Sequence, residues 1–275
     1  MRELGYIEGK NLVTEWRSSE GKYERLPELA AELARMKLDV LATVGTSASF
    51  AAQKATITIP IVMMGVGDPV GTGLVKNLAR PGGNSTGVSL MSTELGPALL
   101  QKLHDMVPKV TRVAVYVNPT NLPFSVLFLK NVQVAAQRLG VKILPIEAST
   151  PQEIANGFAA MTRQNPGALI VPLEAFFIQQ YKQIVDLATK QRLPSIGGSG
   201  EYVDAGGLMS YGQNLRENLR SAAAYVDKIF KGAKPGDIPV QQPTTFELII
   251  NRKTAKALGL TIPQSLLISA TKIIE

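Results

Sequence analysis

Apolar residues along the chain fall into two periods that replace one another at short intervals. Leu26, Leu29, Leu33 and Met36 recur at helical spacing with Glu and Arg opposite them, which predicts a helix over 24–36. The short apolar run at 39–44 (DVLATV) reads as a buried strand. Gly45-Thr46-Ser47 then turns the chain into an Ala-rich helix, with Thr46 or Ser47 as its N-cap. After Ile59-Pro60, a second apolar run at 61–64 ends in Gly65-Val66-Gly67-Asp68-Pro69. A helix is expected over 71–79, closed by the turn Arg80-Pro81-Gly82-Gly83-Asn84. A strand at 86–90 and a helix at 93–106 follow, and an earlier strand at 12–17 carries Trp16, expected in the core or against an aromatic ligand.

The second half repeats the alternation. A strand at 112–117 ends in Asn118-Pro119-Thr120-Asn121, and the helix after it stops at Gly140. Strands are expected at 141–146, 168–171, 195–197 and 207–211. Helices are expected at 151–164, with Pro151 in the first turn, at 175–191 and at 215–230. An extended piece at 238–241, a strand at 246–250, a short helix to Leu258 and an extended tail complete the chain. The stretches 39–68 and 167–201 each run strand, loop, helix, Ile-Pro or Leu-Pro, strand and a Gly-rich loop ending in an acid. Two similar halves of this kind fit two lobes.

The expected fold class is therefore α/β, with two lobes, each a parallel sheet flanked by helices, joined by a multi-crossing hinge. Lobe one is drawn as 1–110 with about 215–240, and lobe two as 111–214 with about 241–275. Ligands of parallel sheets bind beyond the carboxyl ends of the strands. The residues at those ends are Thr46, Ser47, Gly65, Asp68, Asn118, Asn121, Glu174, Ser199 and Tyr211. Glycines, hydroxyls, amides and carboxylates suit a small polar molecule held between two lobes. Backbone N–H groups at Thr46-Ser47 would favour a carboxylate. Asp68 or Glu174 could pair with an ammonium, while the plain alternative leaves the hydroxyls as caps and the acids solvated.

Composition narrows the chemistry. The 275 residues contain no cysteine, which removes disulfides, thiolate nucleophiles and Cys-based metal sites. The single histidine, His104, lies in a helical stretch and gives little support for His-based acid–base catalysis or a metal site. No metal and no cofactor are expected. The net charge of +7 is scattered along helices without a basic run or basic–aromatic interleaving, so nucleic acid is not expected as a partner. No stretch reaches the ~20 apolar residues that span a bilayer. Gly65-Val66-Gly67 lacks the third glycine of a dinucleotide fingerprint, and neither a phosphate-binding loop nor a G-x-S-x-G elbow is present.

The run Ala79-Arg80-Pro81-Gly82-Gly83-Asn84-Ser85-Thr86-Gly87 resembles the LARPGGNxTG signature of a family of ABC transporter substrate-binding proteins. Residues 3–11 (ELGYIEGKN), 55–62 (ATITIPIV), Asp68-Pro69-Val70 and 246–263 (FELIINRKTAKALGLTIP) are similar to the same family. The resemblance implies the periplasmic binding protein type I fold and non-covalent binding of a small molecule, an amino acid or aromatic compound among the options. It implies a membrane permease as partner and no enzyme activity. In relatives an export signal, a first strand and most of a helix precede the stretch matching Arg2-Glu3-Leu4-Gly5-Tyr6. The resemblance thus implies a periplasmic full-length form, and a chain that starts inside that helix without the strand central to the first lobe. The alternatives are a cytoplasmic small-molecule sensor of the same fold and, further off, an α/β enzyme.

Overall fold

The computed structural model describes all 275 residues. They form two compact units, Met1–Leu90 with Leu215–Pro243 and Met91–Asn214 with Thr244–Glu275. The first boundary falls at Leu90, not near residue 110, while the others, at 214/215 and 243/244, fall close to the expected positions. The helix Leu95–Met106 causes the shift: it buries Leu95, Leu99, Leu100, Leu103 and Met106 and packs on helix Leu122–Leu139 of the second unit.

In the first unit, β1 (Leu41–Val44), β2 (Ile61–Val66) and β3 (Ser85–Ser89) form a parallel sheet in the order β1-β2-β3. Side chains alternate across a strand, and β2 shows the consequence. Ile61 and Met63 join Leu41, Ala52, Leu74 and Val240 in one core cluster. Val62 faces Ala222, Tyr225 and Ile229 of helix Leu215–Phe230 in another. A sheet covered on both faces needs an unbroken apolar run, which is what 61–64 supplies.

The signature stretch builds this unit. The Asn84 side-chain amide donates to the carbonyls of Thr56 and Ile59, at 3.1 and 2.8 Å, and so clamps the entry to β2. Thr86 Oγ1 donates to the Ile238 carbonyl at 2.7 Å. Gly87 lies at φ 138, where a Cβ would stand 2.1 Å from the Met63 carbonyl oxygen. Only glycine allows β2 and β3 this close.

Three expectations for this unit change. Residues 71–79 form turns, not a helix: the Asp68 carboxylate accepts the N–H groups of Val70 and Gly71, at 3.2 and 2.7 Å, which commits the backbone to a local turn. Residues 12–17 are extended but join no sheet, apart from a single bridge between Glu8 and Leu12. Trp16 is accordingly 76% exposed, so it packs in no core, and β1 has a ladder partner only on the β2 side.

In the second unit seven strands run in the order β10-β9-β8-β7-β6-β4-β5. They are β4 (Arg112–Val117), β5 (Lys142–Glu147), β6 (Ala168–Val171), β7 (Ser195–Gly197), β8 (Met209–Gly212), β9 (Glu247–Asn251) and β10 (Lys272–Ile274). All neighbours are parallel except β8 and β9. Val113, Ala114, Val115 and Tyr116 on β4 are wholly buried, and the Tyr116 phenol donates to the Ile154 carbonyl at 3.0 Å. Burial pushes that phenol well above the usual tyrosine range. The expected helix at 175–191 is two, Ala175–Gln179 and Tyr181–Lys190, and the tail holds helix Gln264–Ser269 and β10 rather than running extended throughout.

Helix Pro151–Gln164 opens on a capping box: Glu153 N–H donates to Thr150 Oγ1, at 3.2 Å, and Thr150 N–H to Glu153 Oε2, at 3.1 Å. Thr150→Ala is expected to cost about 1 kcal/mol, read as a lower urea midpoint. The hydrogen bond from the Ser149 backbone, with those from the Ser149 hydroxyl and Thr150, holds the Glu153 carboxyl below its ordinary pKa. A depressed carboxylate stabilises the fold above its unfolded-state pKa, and that contribution is lost as pH falls through the folded-state value.

Candidate functional site

Each unit offers polar groups at the carboxyl ends of its parallel strands, and each set stands on its own geometry. In the first unit, Gly45 is the N-cap of helix Thr46–Ala55, so neither Thr46 nor Ser47 caps it. Gly45 takes that place because it adopts φ 85, ψ 168, which a Cβ would oppose. Thr46 is buried, and its Oγ1 accepts the Gly67 N–H at 3.3 Å, which ties the helix start to the loop after β2. Ser47 is half-buried one residue further in. Gly65, at φ 80, marks the point where the β2–β3 register shifts. Asp68 is engaged by its own loop. Of the first unit's candidates, Thr46 and Asp68 therefore hold loops together, and Ser47 sits at a helix N-terminus suited to an anion.

The second unit gathers its candidates more tightly. Asn118 follows β4 and is 1% exposed; Asn121, on the next turn, and Glu174, beyond β6, are each 4% exposed. The Asn121 side-chain amide donates to Glu174 Oε1 at 3.0 Å. The Asn118 amide approaches both oxygens at 3.4 and 3.5 Å, and the Phe176 N–H donates to Oε2 at 3.0 Å. Asn118 Oδ1 in turn accepts the N–H and hydroxyl of Thr120, at 3.0 and 2.7 Å, which fixes which end of its amide faces Glu174. Ser125 Oγ donates to the Asn118 carbonyl at 2.8 Å. Glu174 thus joins the loop after β4 to the loop after β6 through a buried carboxylate and two oriented amides.

Toward β8 the strand ends close up. A Cβ on Gly198 would meet Leu173 Cβ at 2.5 Å, and one on Gly212 would meet the Gly198 carbonyl oxygen at 1.8 Å. Ser199, at this point, and Ser210 on β8 are fully buried; the Ser199 hydroxyl has the Tyr181 phenol as a hydrogen-bonding neighbour, whereas the Ser210 hydroxyl has no partner. Buried hydroxyls without partners are uncommon and mark places where a ligand or water can supply the bond. Tyr211 is half-buried and stacks on Phe246, with ring centroids 5.9 Å apart and planes at 20°.

The structure therefore brings Asn118, Asn121 and Glu174 into one network and sets Ser199 and Tyr211 along the same sheet end. Ser210 and Phe246 were missed in sequence. Ser210 sits inside an apolar strand, and only alternation from Tyr211 would have placed it on the opposite face. Phe246 reads as the first core residue of a strand yet is 38% exposed. No group of three or more His, Cys, Asp or Glu side chains lies close enough to hold a metal ion, and no helix is long and apolar enough to cross a membrane.

Residues 1–274 match the family model described as ABC transporter substrate binding protein. The tyrosine-binding protein of Clostridioides difficile (strain R20291) is 26% identical over 261 residues, covering 94% of this chain and 74% of that protein. A conserved domain protein from Vibrio cholerae superposes with a TM-score of 0.91 at 28% identity, covering 99% of this chain and 90% of its own. A Streptococcus pneumoniae ABC domain in complex with L-Trp also gives 0.91, at 26% identity, covering 99% and 91%. With a family match over nearly its whole length, parallel α/β units and polar strand ends, the chain belongs to the ABC transporter substrate-binding protein family.

Proposed function

We propose that the chain binds a free amino acid with an aromatic side chain and delivers it to a membrane permease for uptake. The observation that carries this reading is the Glu174–Asn118–Asn121 network, a buried carboxylate with two oriented amides at a strand end. Such a group suits a ligand with an ammonium, and the partnerless Ser210 hydroxyl can serve a carboxylate or a ring substituent. The names of relatives agree in class: one is a tyrosine-binding protein and another was solved with L-Trp. Binding is non-covalent and the ligand leaves unchanged, so the reading is of a binding protein and not an enzyme. Family membership further supports an extracytoplasmic place of action.

The test is a thermal-unfolding screen of the purified chain with the amino acids, aromatic acids and sugars. Ligand at about one hundred times its Kd stabilises by ~2.7 kcal/mol, so L-Tyr or L-Trp should raise Tm by several degrees. Mass spectrometry of the recovered ligand should find it intact. A shift with sugars but none with any amino acid would refute the proposal, and a chemically altered ligand would refute the non-enzymatic part.

A further inference from the structure

Every other Phe and Tyr side chain of the second unit is buried, whereas Tyr211 and Phe246 are not. Exposing a large ring forgoes the stabilisation that burial gives it, so a half-buried ring stacked on an exposed one needs a reason. The backbone supplies their place. Tyr211 is on β8 opposite Leu248 of β9, and the antiparallel pairing sets Phe246, just before β9, beside the carboxyl end of β8. The next residue, Gly212, is pressed against the β7 end, since a Cβ there would lie 3.5 Å from the Ser199 nitrogen. The ring pair therefore flanks the end of the sheet at which Gly198 and Ser199 lie.

We infer that Tyr211 and Phe246 form a stacking platform that selects ligands carrying a flat ring. The inference rests on the proposed binding of a small molecule at this sheet end and adds the residues that set its class. With planes only 20° apart, the pair presents near-parallel faces, and a third ring can continue the stack in the offset geometry aromatic groups prefer. Polar strand-end groups would hold the amino-acid moiety, and the platform would discriminate between side chains.

Calorimetry on the full chain and its variants, with L-Tyr, L-Trp and L-Leu as probes, tests this. Wild-type protein should prefer the two aromatic ligands. Phe246→Leu and Tyr211→Leu keep apolar bulk but remove a ring face, and each should weaken L-Tyr and L-Trp about tenfold, or ~1.4 kcal/mol. Any affinity for L-Leu should stay within about twofold. Tyr211→Phe, which keeps the ring and is the variant safest for folding, should keep L-Trp affinity. Equal losses for all three ligands would assign the pair a purely structural role and overturn the inference, as would unchanged affinities in both leucine variants. A wild-type chain that binds L-Leu as tightly as L-Tyr overturns the platform but leaves amino-acid binding standing. One that binds none of the three removes the proposed function as well.

Discussion

Replacing Gly87 with alanine is expected to destabilise the first unit by ~3 kcal/mol or more, enough to lower the yield of folded protein. Two costs combine. The new Cβ would stand 2.1 Å from the Met63 carbonyl oxygen and 2.6 Å from its nitrogen, both backbone atoms of the central strand, which cannot rotate away. The residue is also held at φ 138, where L-side chains are strained. Separating β2 from β3 to relieve the clash would further disturb residue 241, whose N–H donates to the Gly87 carbonyl at 2.9 Å. Gly82→Ala is the control: it lies at φ 70 with nothing within 4 Å of a new Cβ, so it should cost only ~1 kcal/mol. Thermal unfolding of the two variants decides the point, and equal midpoints would mean that the close approach of β2 and β3 is not what requires glycine.

Glu174→Ala is expected to be comparably severe and to abolish ligand binding. It removes the acceptor shared by the Asn118 and Asn121 amides and the Phe176 N–H, all in a buried setting. A buried donor left unsatisfied costs ~1–3 kcal/mol, so the loss should reach ~3 kcal/mol even if the loop relaxes to let water in. Glu174→Gln keeps one acceptor oxygen and most of the volume but brings an NH2 group toward two donors. It should recover part of the stability while binding an amino acid at least tenfold more weakly. Urea midpoints with calorimetry on the same samples check both statements. Full binding by the glutamine variant would show that the carboxylate holds the loops and does not serve the ligand.

Much of the architecture was legible because both periods were unambiguous. Strands β4 and β6 and the helices Pro151–Gln164 and Leu215–Phe230 sit where their apolar patterns and turn residues place them. Gly140, at φ 66, ends its helix as a left-handed glycine should. The failures have different causes, two of them local and one a missing sheet neighbour. The apolar residues of 71–79 suited a helix, but Asp68 captured the N–H groups that would have started it. Residues 12–17 are expected as a strand, yet a strand requires a neighbouring strand, and they join no sheet. Residue Gly45 displaced Thr46 as cap because the cap needed a backbone conformation rather than a hydroxyl.

By itself the sequence determined the class of the fold and the ends of the strands, since the periods 2 and 3.6 and their Gly, Pro and Asn punctuation are local properties of the chain. It also pointed to the family through the run 79–87, and the structure makes that run a clamp on β2. What only the tertiary structure decided is which strand-end groups meet. Asn118 and Glu174 are 56 residues apart, and their approach to 3.4 Å depends on β4 and β6 being sheet neighbours, a pairing that no local pattern records. The same holds for Tyr211 and Phe246, brought together by the antiparallel joining of β8 and β9. Side-chain chemistry can be read residue by residue, but a site is a set of distances, and those arise only when the sheet closes its long-range pairs.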